Sequence, residues 1–295
     1  MNVLSLFDGM SCGQIALERV GVKVNKYYAS ELDKYSIKVT QANWPETIHL
    51  GDVTKWREWN IDWSSIDLLI GGSPCQGFSI AGKKLAFDDP RSKLFFEFVD
   101  ILNHINRHRR LSFKPRVKFM LENVKMKKEY LDVISDYLGV KPVFINSNLV
   151  SAQKRPRYYW ANWDFEQPDD RGIYLNDILH GADEKFKVSQ KQISRLNLSG
   201  VSDGGVRVCF QKPGQNVEKS ECLQARDYKG ISGMQYFTVA MKGGDLYKLS
   251  PIEYERLQTV PDNYTNHVSN TQRYKMLGNG WTVDVIAHIF RRLSS

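Results

Sequence analysis

The chain has 295 residues, of which 42% are hydrophobic and 25% are charged, and its formal net charge is +8. This composition excludes a disordered or fibrous chain, and the lack of a long apolar stretch excludes a membrane-spanning helix. The positive charge favours a polyanionic partner, and we expect no signal peptide.

Strand-like and helix-like patterns alternate over the first 160 residues. The predicted strands are residues 3–7, 27–30, 47–50, 67–70 and 117–121, and the predicted helices are residues 14–20, 92–106 and 127–138. This alternation predicts an α/β fold of the Rossmann-like kind, with a mainly parallel sheet and helices on both of its faces.

The sequence changes character after Trp163. Residues 164–244 are polar, rich in glycine and weakly periodic, which indicates a separate, small and mostly β or irregular domain. Regular structure resumes near residue 249. There Ser250 and Glu253 predict a capping box, and a last helix is predicted over residues 282–293.

The turn after the first predicted strand has a nucleotide-binding pattern. Residues 7–13 read Phe-Asp-Gly-Met-Ser-Cys-Gly and lie between a strand and a helix. Glu31 follows the second predicted strand and could accept hydrogen bonds from a ribose. Asp52 ends the third and could contact an adenine amino group, although such acids also cap helices. The pattern fits either NAD or S-adenosylmethionine.

Cysteines are few, and none belongs to a C-x-x-C pair. This spacing argues against a disulfide framework and against a metal site, and it favours a reduced, cytosolic chain. Cys75 is distinctive because it follows the apolar strand at residues 67–70, where open α/β sheets bind ligands. Isolated cysteines are usually small buried hydrophobes, but the Pro, Gly and polar neighbours of Cys75 indicate an exposed loop.

Several motifs, in order, resemble those of the cytosine-5 DNA methyltransferase family. They are the cofactor loop (residues 7–13), the nucleophile motif (73–76), the acid motif (122–124), the basic motif (153–157) and two closing motifs (256–258 and 278–279). Trp281, after the last motif, resembles the animal de novo branch. The motifs span residues 3–163 and 248–290, so only the middle of the chain is uncovered.

The resemblance implies methyl transfer from S-adenosylmethionine to carbon 5 of a flipped cytosine in duplex DNA. Cys75 would add to carbon 6, and a protonated Glu122 would bond ring nitrogen 3. Arg157, with Arg155, would hold the cytosine carbonyl or nearby phosphates, and Gln76 joins this catalytic set. The implied cofactor-binding residues are Phe7, Asp8, Gly9, Met10, Gly13, Glu31, Leu32, Asp52, Val53, Ser73, Pro74, Asn279 and Trp281.

The same resemblance assigns DNA contacts to two regions. Residues 76–91 resemble the loop that closes over flipped DNA, with Ser79, Lys83 and Arg91 as phosphate contacts. The middle region corresponds to the variable target-recognition domain, where Arg226 and Lys229 are the best candidates for reading DNA. We therefore predict a catalytic and cofactor-binding domain at 1–175, a target-recognition domain at 176–247 and a return segment at 248–295.

Two alternatives fit part of this pattern. The first is cytosine-5 methylation of transfer RNA, and the second is a catalytically silent family member that binds DNA. We expect a monomer that binds duplex DNA, no membrane and no metal. A restriction endonuclease is an expected companion in the same system, in a bacterial or phage-infected cell.

Overall fold

A computed structural model of the chain describes residues 1–73, 93–190, 219–229, 239–242 and 245–293. The chain divides by its internal contacts into two compact units. The first comprises Met1–Ile145, Pro156–Gln167 and Ile286–Ser295, and the second comprises Asn146–Arg155 and Pro168–Val285. The predicted division at residues 176 and 248 is a functional one, and it stays a prediction.

A seven-stranded sheet forms the centre of the first unit. Its strands are β1 (Asn2–Leu6), β2 (Lys26–Ser30), β3 (Ile48–His49), β4 (Leu68–Gly71), β5 (Lys118–Val124), β6 (Val143–Asn146) and β7 (Pro156–Ala161). Its helices are α1 (Cys12–Arg19), α2 (Lys34–Asn43), α3 (Lys93–Leu111) and α4 (Lys128–Leu138). The strand order is β3-β2-β1-β4-β5-β7-β6. Strands β1 to β5 are mutually parallel, whereas β7 runs antiparallel to β5.

The strand order reverses direction between β1 and β4. The chain moves from β1 to β2 and β3 towards one edge, and from β4 to β5 towards the other. Because such crossovers are right-handed, α1 and α2 belong to one face of the sheet and α3 to the opposite face. The prediction of a mainly parallel α/β fold is confirmed, and its ligand-binding crevice is expected where the order reverses.

Helix α3 has a strongly buried face. Its Phe95, Phe98, Ile101 and Ile105 are completely buried, and they belong to one apolar cluster with the sheet residue Leu69. Burial of each such side chain contributes roughly 1.5–3 kcal/mol. This packing fixes α3 against the sheet.

The second unit contains short elements. They are α5 (Leu175–Ile178), the hairpin β8 (Val239–Lys242) and β9 (Asp245–Lys248), α6 (Pro251–Leu257), α7 (Asn270–Asn279) and the start of α8 (Val283–Phe290). Short 3-10 turns include Asp227–Lys229. At α6 the predicted capping box is present, with Ser250 accepting from the main chain of Glu253 and Glu253 accepting from that of Ser250.

Several boundaries differ from the prediction. Strand β5 continues to Val124 because it pairs with β7, so Glu122 lies inside the strand and not at its end. Helix α3 continues to Leu111, beyond the predicted end at residue 106. Its last turn contains the buried Arg109, whose guanidinium donates to the carbonyl oxygens of Ile66 and Pro115 and to the carboxylate of Asp67. Helices α2 and α7 and strands β6 and β7 were not predicted.

Two kinds of feature are absent from the described residues. No helix in that part of the chain is long and apolar enough to cross a membrane. Nor does any group of three or more His, Cys, Asp or Glu side chains there have a metal-binding arrangement.

Candidate active site

Predicted site residues follow four neighbouring strands of the sheet in the first unit, at the edge where these strands end. The loop at residues 7–13 follows β1, Glu31 follows β2, Asp52 follows β3 and Ser73 follows β4. These strands are parallel neighbours, so their carboxyl ends share an edge. The strand order reverses between β1 and β4. The loop that follows β1 lies on one side of this position, and Ser73, which follows β4, lies on the other.

Glu31 ties the cofactor loop to the neighbouring strand end. The main-chain N–H of Gly9 donates to Oε2 of Glu31 at 2.8 Å. The N–H groups of Leu32 and Asp33 donate to Oε1 at 2.7 and 2.8 Å. The carboxylate that was predicted to bind a ribose therefore also fixes the loop, while the side chain of Leu32 is 69% exposed.

Asp8 is the second carboxylate that holds this loop. The hydroxyl of Tyr27 donates to its Oδ1 at 2.7 Å, and that of Ser11 donates to its Oδ2. Burial raises the pKa of Asp8 to about 6. The loop is also strained, since Phe7 and Ser11 have φ angles of 58° and 61° in the left-handed region.

Asp52 caps a short helical turn. Its Oδ1 accepts from the N–H and the hydroxyl of Thr54, both at 2.9 Å. Oδ2 of Asp52 has no hydrogen-bond partner among the described residues. One oxygen is therefore engaged in capping, and the other is available to a ligand. The adjacent Val53 is buried.

The first residue of the nucleophile motif is anchored to the acid motif. Nδ2 of Asn123 lies 3.2 Å from Oγ and 3.4 Å from the carbonyl oxygen of Ser73. Both residues are almost completely buried. Ser73, just after the end of β4, is thus tied to Asn123 of the neighbouring strand β5.

Glu122 and Arg157 form an ion pair across β5 and β7. Nε of Arg157 lies 2.8 Å from Oε1 of Glu122, and their side chains are 13% and 11% exposed. Arg157 also donates to the carbonyl oxygen of Pro156. Two predicted catalytic side chains are therefore in direct contact in a nearly buried position.

Arg155 has a different environment, within the second unit. Its guanidinium donates to the carbonyl oxygens of Leu223 at 3.1 Å, Gly280 at 2.9 Å and Gly278 at 3.2 Å. The residue is 4% exposed. These contacts give Arg155 a structural role, and its predicted contact with substrate stays a prediction.

The predicted DNA-reading residues Arg226 and Lys229 lie in an anchored turn. Both are exposed, and Nε of Arg226 donates to the side chain of Gln224 at 3.1 Å. Between them, Asp227 is buried and accepts from the hydroxyl of Tyr254 at 3.1 Å. The buried anchor leaves the two cations facing solvent.

Other predicted site residues are less informative. Pro74, Cys75, Gln76, Ser79, Lys83 and Arg91 lie outside the described residues. Met10 and Gly13 are buried residues of the cofactor loop itself. Asn279 is exposed and Trp281 is half-buried, both in the second unit.

Sequence reasoning missed the residues that support the site. Tyr27, Ser11 and Asn123 hold the predicted residues in place, as does Gln153 in the second unit. The side chain of Gln153 accepts from Leu223 N–H at 2.9 Å and donates to Gln258 at 3.1 Å. Ser11, Asn123 and Gln153 stand inside the motifs at residues 7–13, 122–124 and 153–157, which is the signal that could have found them.

Comparison with known proteins supports a common family. A model of C-5 cytosine-specific DNA methylases matches residues 1–138 and 143–295. Type II methyltransferase M1.ScrFI of Lactococcus lactis subsp. cremoris is 31% identical, over 99% of this chain and 77% of that protein. Type II methyltransferase M.NlaX of Neisseria lactamica is 30% identical, over 100% of this chain and 96% of that protein.

A solved structure supports the fold independently. The Entamoeba histolytica methyltransferase EhMeth superposes with a TM-score of 0.76 at 16% identity, over 99% of this chain and 97% of that chain. At this identity the likeness shows the fold alone. The family model, in contrast, covers nearly the whole sequence. The chain belongs to the C-5 cytosine-specific DNA methylase family and is a DNA (cytosine-5-)-methyltransferase.

Proposed function

We propose that Cys75 is the nucleophile of this methyltransferase, and that Glu122 and Arg157 contact the target cytosine in duplex DNA. The observation that carries this proposal is the nearly buried ion pair of Glu122 and Arg157. Glu122 is followed in β5 by Asn123, which bonds Ser73, two residues before Cys75. The carboxyl and the guanidinium are thus held on β5 and β7, and the nucleophile motif begins just after the end of the adjacent strand β4.

The proposed chemistry overcomes the poor nucleophilicity of cytosine carbon 5. The thiolate of Cys75 adds to carbon 6, and Glu122 shares its proton with ring nitrogen 3 as electron density enters the ring. Carbon 5 then takes the methyl group and loses its proton to a base. The thiolate leaves from carbon 6 and the aromatic ring is restored. In this proposal Arg157 orients Glu122 and bonds the cytosine carbonyl.

The family uses S-adenosylmethionine, and the sheet edge of this chain fits that molecule. S-Adenosylmethionine supplies an electrophilic methyl group when bound. We propose that Glu31 accepts from its ribose, and that the unengaged Oδ2 of Asp52 accepts from its adenine amino group. A side chain at Gly9 would meet nothing within 4 Å, so main chain is open to a ligand there. The exposed Leu32 offers apolar surface to the adenine ring.

The relatives suggest a biological setting. Both proteins compared above are named type II methyltransferases. We therefore propose that this chain protects DNA in a restriction-modification system, with an endonuclease that shares its site, in a bacterial or phage-infected cell. The recognition residues would come from the region at 176–247.

Covalent trapping tests the nucleophile directly. With S-adenosylmethionine present, a duplex with 5-fluorocytosine at the target should form a denaturation-resistant adduct with the wild type, because after methyl transfer the fluorine on carbon 5 cannot leave as a proton does. Cys75→Ser should form none while it still binds the duplex. Cys12→Ser is the control for a second thiol, and its binding of S-adenosylmethionine is checked by calorimetry because Cys12 lies in the cofactor loop. An adduct with Cys75→Ser, or its loss with Cys12→Ser, contradicts the assignment. Transfer RNA offered in place of the duplex tests the RNA alternative.

A further inference from the structure

The turn from α3 into β5 carries an unusual surface. Residues 107–116 contain five basic residues and no acid, and residues 110–116 are all exposed. The turn precedes β5, so it lies at the amino ends of the parallel strands. Glu122 and the cofactor loop lie towards the carboxyl ends. This surface, which we call the basic turn, is therefore separate from the candidate active site within the first unit.

Most of the charge on the basic turn is unpaired. Arg107, Arg110 and Arg116 make no hydrogen bond or ion pair with their side chains among the described residues. Lys114 donates to the carbonyl oxygen of Ser64 at 3.1 Å. Arg109 is the exception, since it is buried and pairs with Asp67. Exposed guanidinium groups without partners are suited to phosphates, which they bind in a forked geometry.

The tip of the basic turn exposes apolar side chains under backbone strain. Phe113 is 98% exposed and Leu111 is 69% exposed. Phe113 has a φ of 55°, a conformation that bulky residues rarely adopt. The N–H groups of Phe113 and Lys114 donate back to Arg110 and Arg109, as in a helix end that normally takes glycine. Helix α4 ends conventionally on Gly139, with a φ of 69°.

We propose that the basic turn is a second binding surface for duplex DNA, in which the arginines contact phosphates and Phe113 enters the minor groove. Phe and Leu side chains flanked by arginine are typical of proteins that wedge base steps from the minor groove. Two apolar side chains are too few for stable attachment to a membrane. An acidic peptide that binds through an apolar residue needs a groove on the protein to receive that residue. Phe113 is 98% exposed and projects from the surface, so it does not line a groove. DNA is also the polyanion on which this enzyme acts.

The surface can be measured apart from the active site. The wild type is first trapped on a 5-fluorocytosine duplex, which fills the active site, and a labelled duplex of A·T pairs only is then titrated in. If no covalent complex forms, the proposed nucleophile is wrong. The active site is then filled with a saturating concentration of unlabelled target duplex, and the basic turn can still be measured. Log affinity is plotted against the logarithm of the salt concentration. Arg110→Ala and Arg116→Ala should each make the slope of this line shallower by about one unit.

Lys38→Ala is the matched control, because Lys38 is an exposed lysine of α2 with no side-chain partner among the described residues. It should leave the slope unchanged. All three variants should methylate a short target duplex at the wild-type rate. Equal slopes for Arg110→Ala, Arg116→Ala and Lys38→Ala would overturn the proposal. So would loss of binding to phosphatidylserine vesicles, with unchanged DNA binding, in the arginine variants.

Phe113→Gly separates the wedge from the charges. Glycine relieves the left-handed strain, so the variant should have a higher Tm than the wild type. It should nevertheless bind the labelled duplex several-fold more weakly at every salt concentration, with an unchanged slope. If the variant is more stable and binds DNA as well as the wild type does, Phe113 takes no part in DNA binding.

Discussion

Nε of Arg157 lies 2.8 Å from Oε1 of Glu122, on neighbouring antiparallel strands. The pair is nearly buried, so removal of either partner leaves a charge without compensation. Glu122→Gln keeps the shape but cannot donate a proton equally well, and should lower kcat about 10²-fold or more. Arg157→Lys should lower it less, because a lysine keeps the charge and loses the fork.

The measurements for this pair are single-turnover methylation of a target duplex and calorimetric titration of S-adenosylmethionine. Cofactor affinity should change little in Glu122→Gln. Glu31→Ala and Asp52→Ala should show the converse, with weakened cofactor binding. If Glu122→Gln loses cofactor and Glu31→Ala does not, both assignments are wrong.

Asp8 should make stability depend on pH in an unusual direction. Burial raises its pKa from 3.8 to about 6, so the folded chain binds the proton more tightly than the unfolded chain. The associated stability is present below the lower value and is lost as the pH rises through the upper one. Between about pH 4 and pH 7, the unfolding free energy relative to Asp8→Asn should fall by at most about 3 kcal/mol. Urea unfolding at several pH values measures this.

A control separates this effect from general titration. Asp136 is exposed on α4, and Asp136→Asn should give a pH profile parallel to that of the wild type. Tyr27→Phe removes the hydroxyl that donates to Asp8 and should steepen the loss at high pH. A difference between wild type and Asp8→Asn that is constant with pH would show that Asp8 is not the titrating group.

Gly278 is required by close packing in the second unit. A Cβ there would lie 2.2 Å from the carbonyl carbon of Gln224 and 2.4 Å from the nitrogen of Ala225. Both atoms are main chain, so the turn that carries Arg226 must shift. Gly278→Ala should lower the free energy of unfolding, measured by thermal denaturation, by about 3 kcal/mol or more. Gly181→Ala, where a Cβ would meet nothing within 4 Å, should change stability by less than about 0.5 kcal/mol.

The sequence predicts those parts of the molecule in which local pattern and packing agree. Helix α3 was found because its apolar residues recur at helical spacing, and the cap of α6 because Ser250 and Glu253 interact locally. Helix α7 was missed, since it is polar and its N-cap, Ser269, makes no side-chain bond. Strand β7 was missed because it is defined by antiparallel pairing with a distant strand.

The candidate site divides in the same way. Glu122 and Glu31 were found because they stand in linear motifs at strand ends or near them. The bonds from Tyr27 to Asp8 and from Asn123 to Ser73 were not predictable. They join residues that are distant in sequence and meet only because β1, β2, β4 and β5 are neighbours in the sheet. Tertiary placement therefore decides which residues support a motif.

Arg226 is expected to read a base of the recognition site. Its turn is fixed from below, since Asp227 accepts from Tyr254 and from the N–H of Gln224. A fixed turn can present an exposed arginine to a guanine edge with little loss of conformational entropy. Arg226→Ala should therefore cost about 1–3 kcal/mol at one position of the site and relax the choice of base there.

The controls distinguish base reading from phosphate contact. Lys229 shares the turn, and Lys229→Ala should weaken binding to all duplexes alike and flatten the salt slope. Binding is measured on a set of duplexes that differ at single positions of the site, once bisulfite sequencing of DNA from an expressing strain has defined it. If Arg226→Ala weakens every duplex equally, Arg226 contacts phosphate. Exchange of residues 176–245 for those of a relative should transfer that relative's specificity. A folded, active hybrid that keeps the original site would place sequence choice elsewhere in the chain.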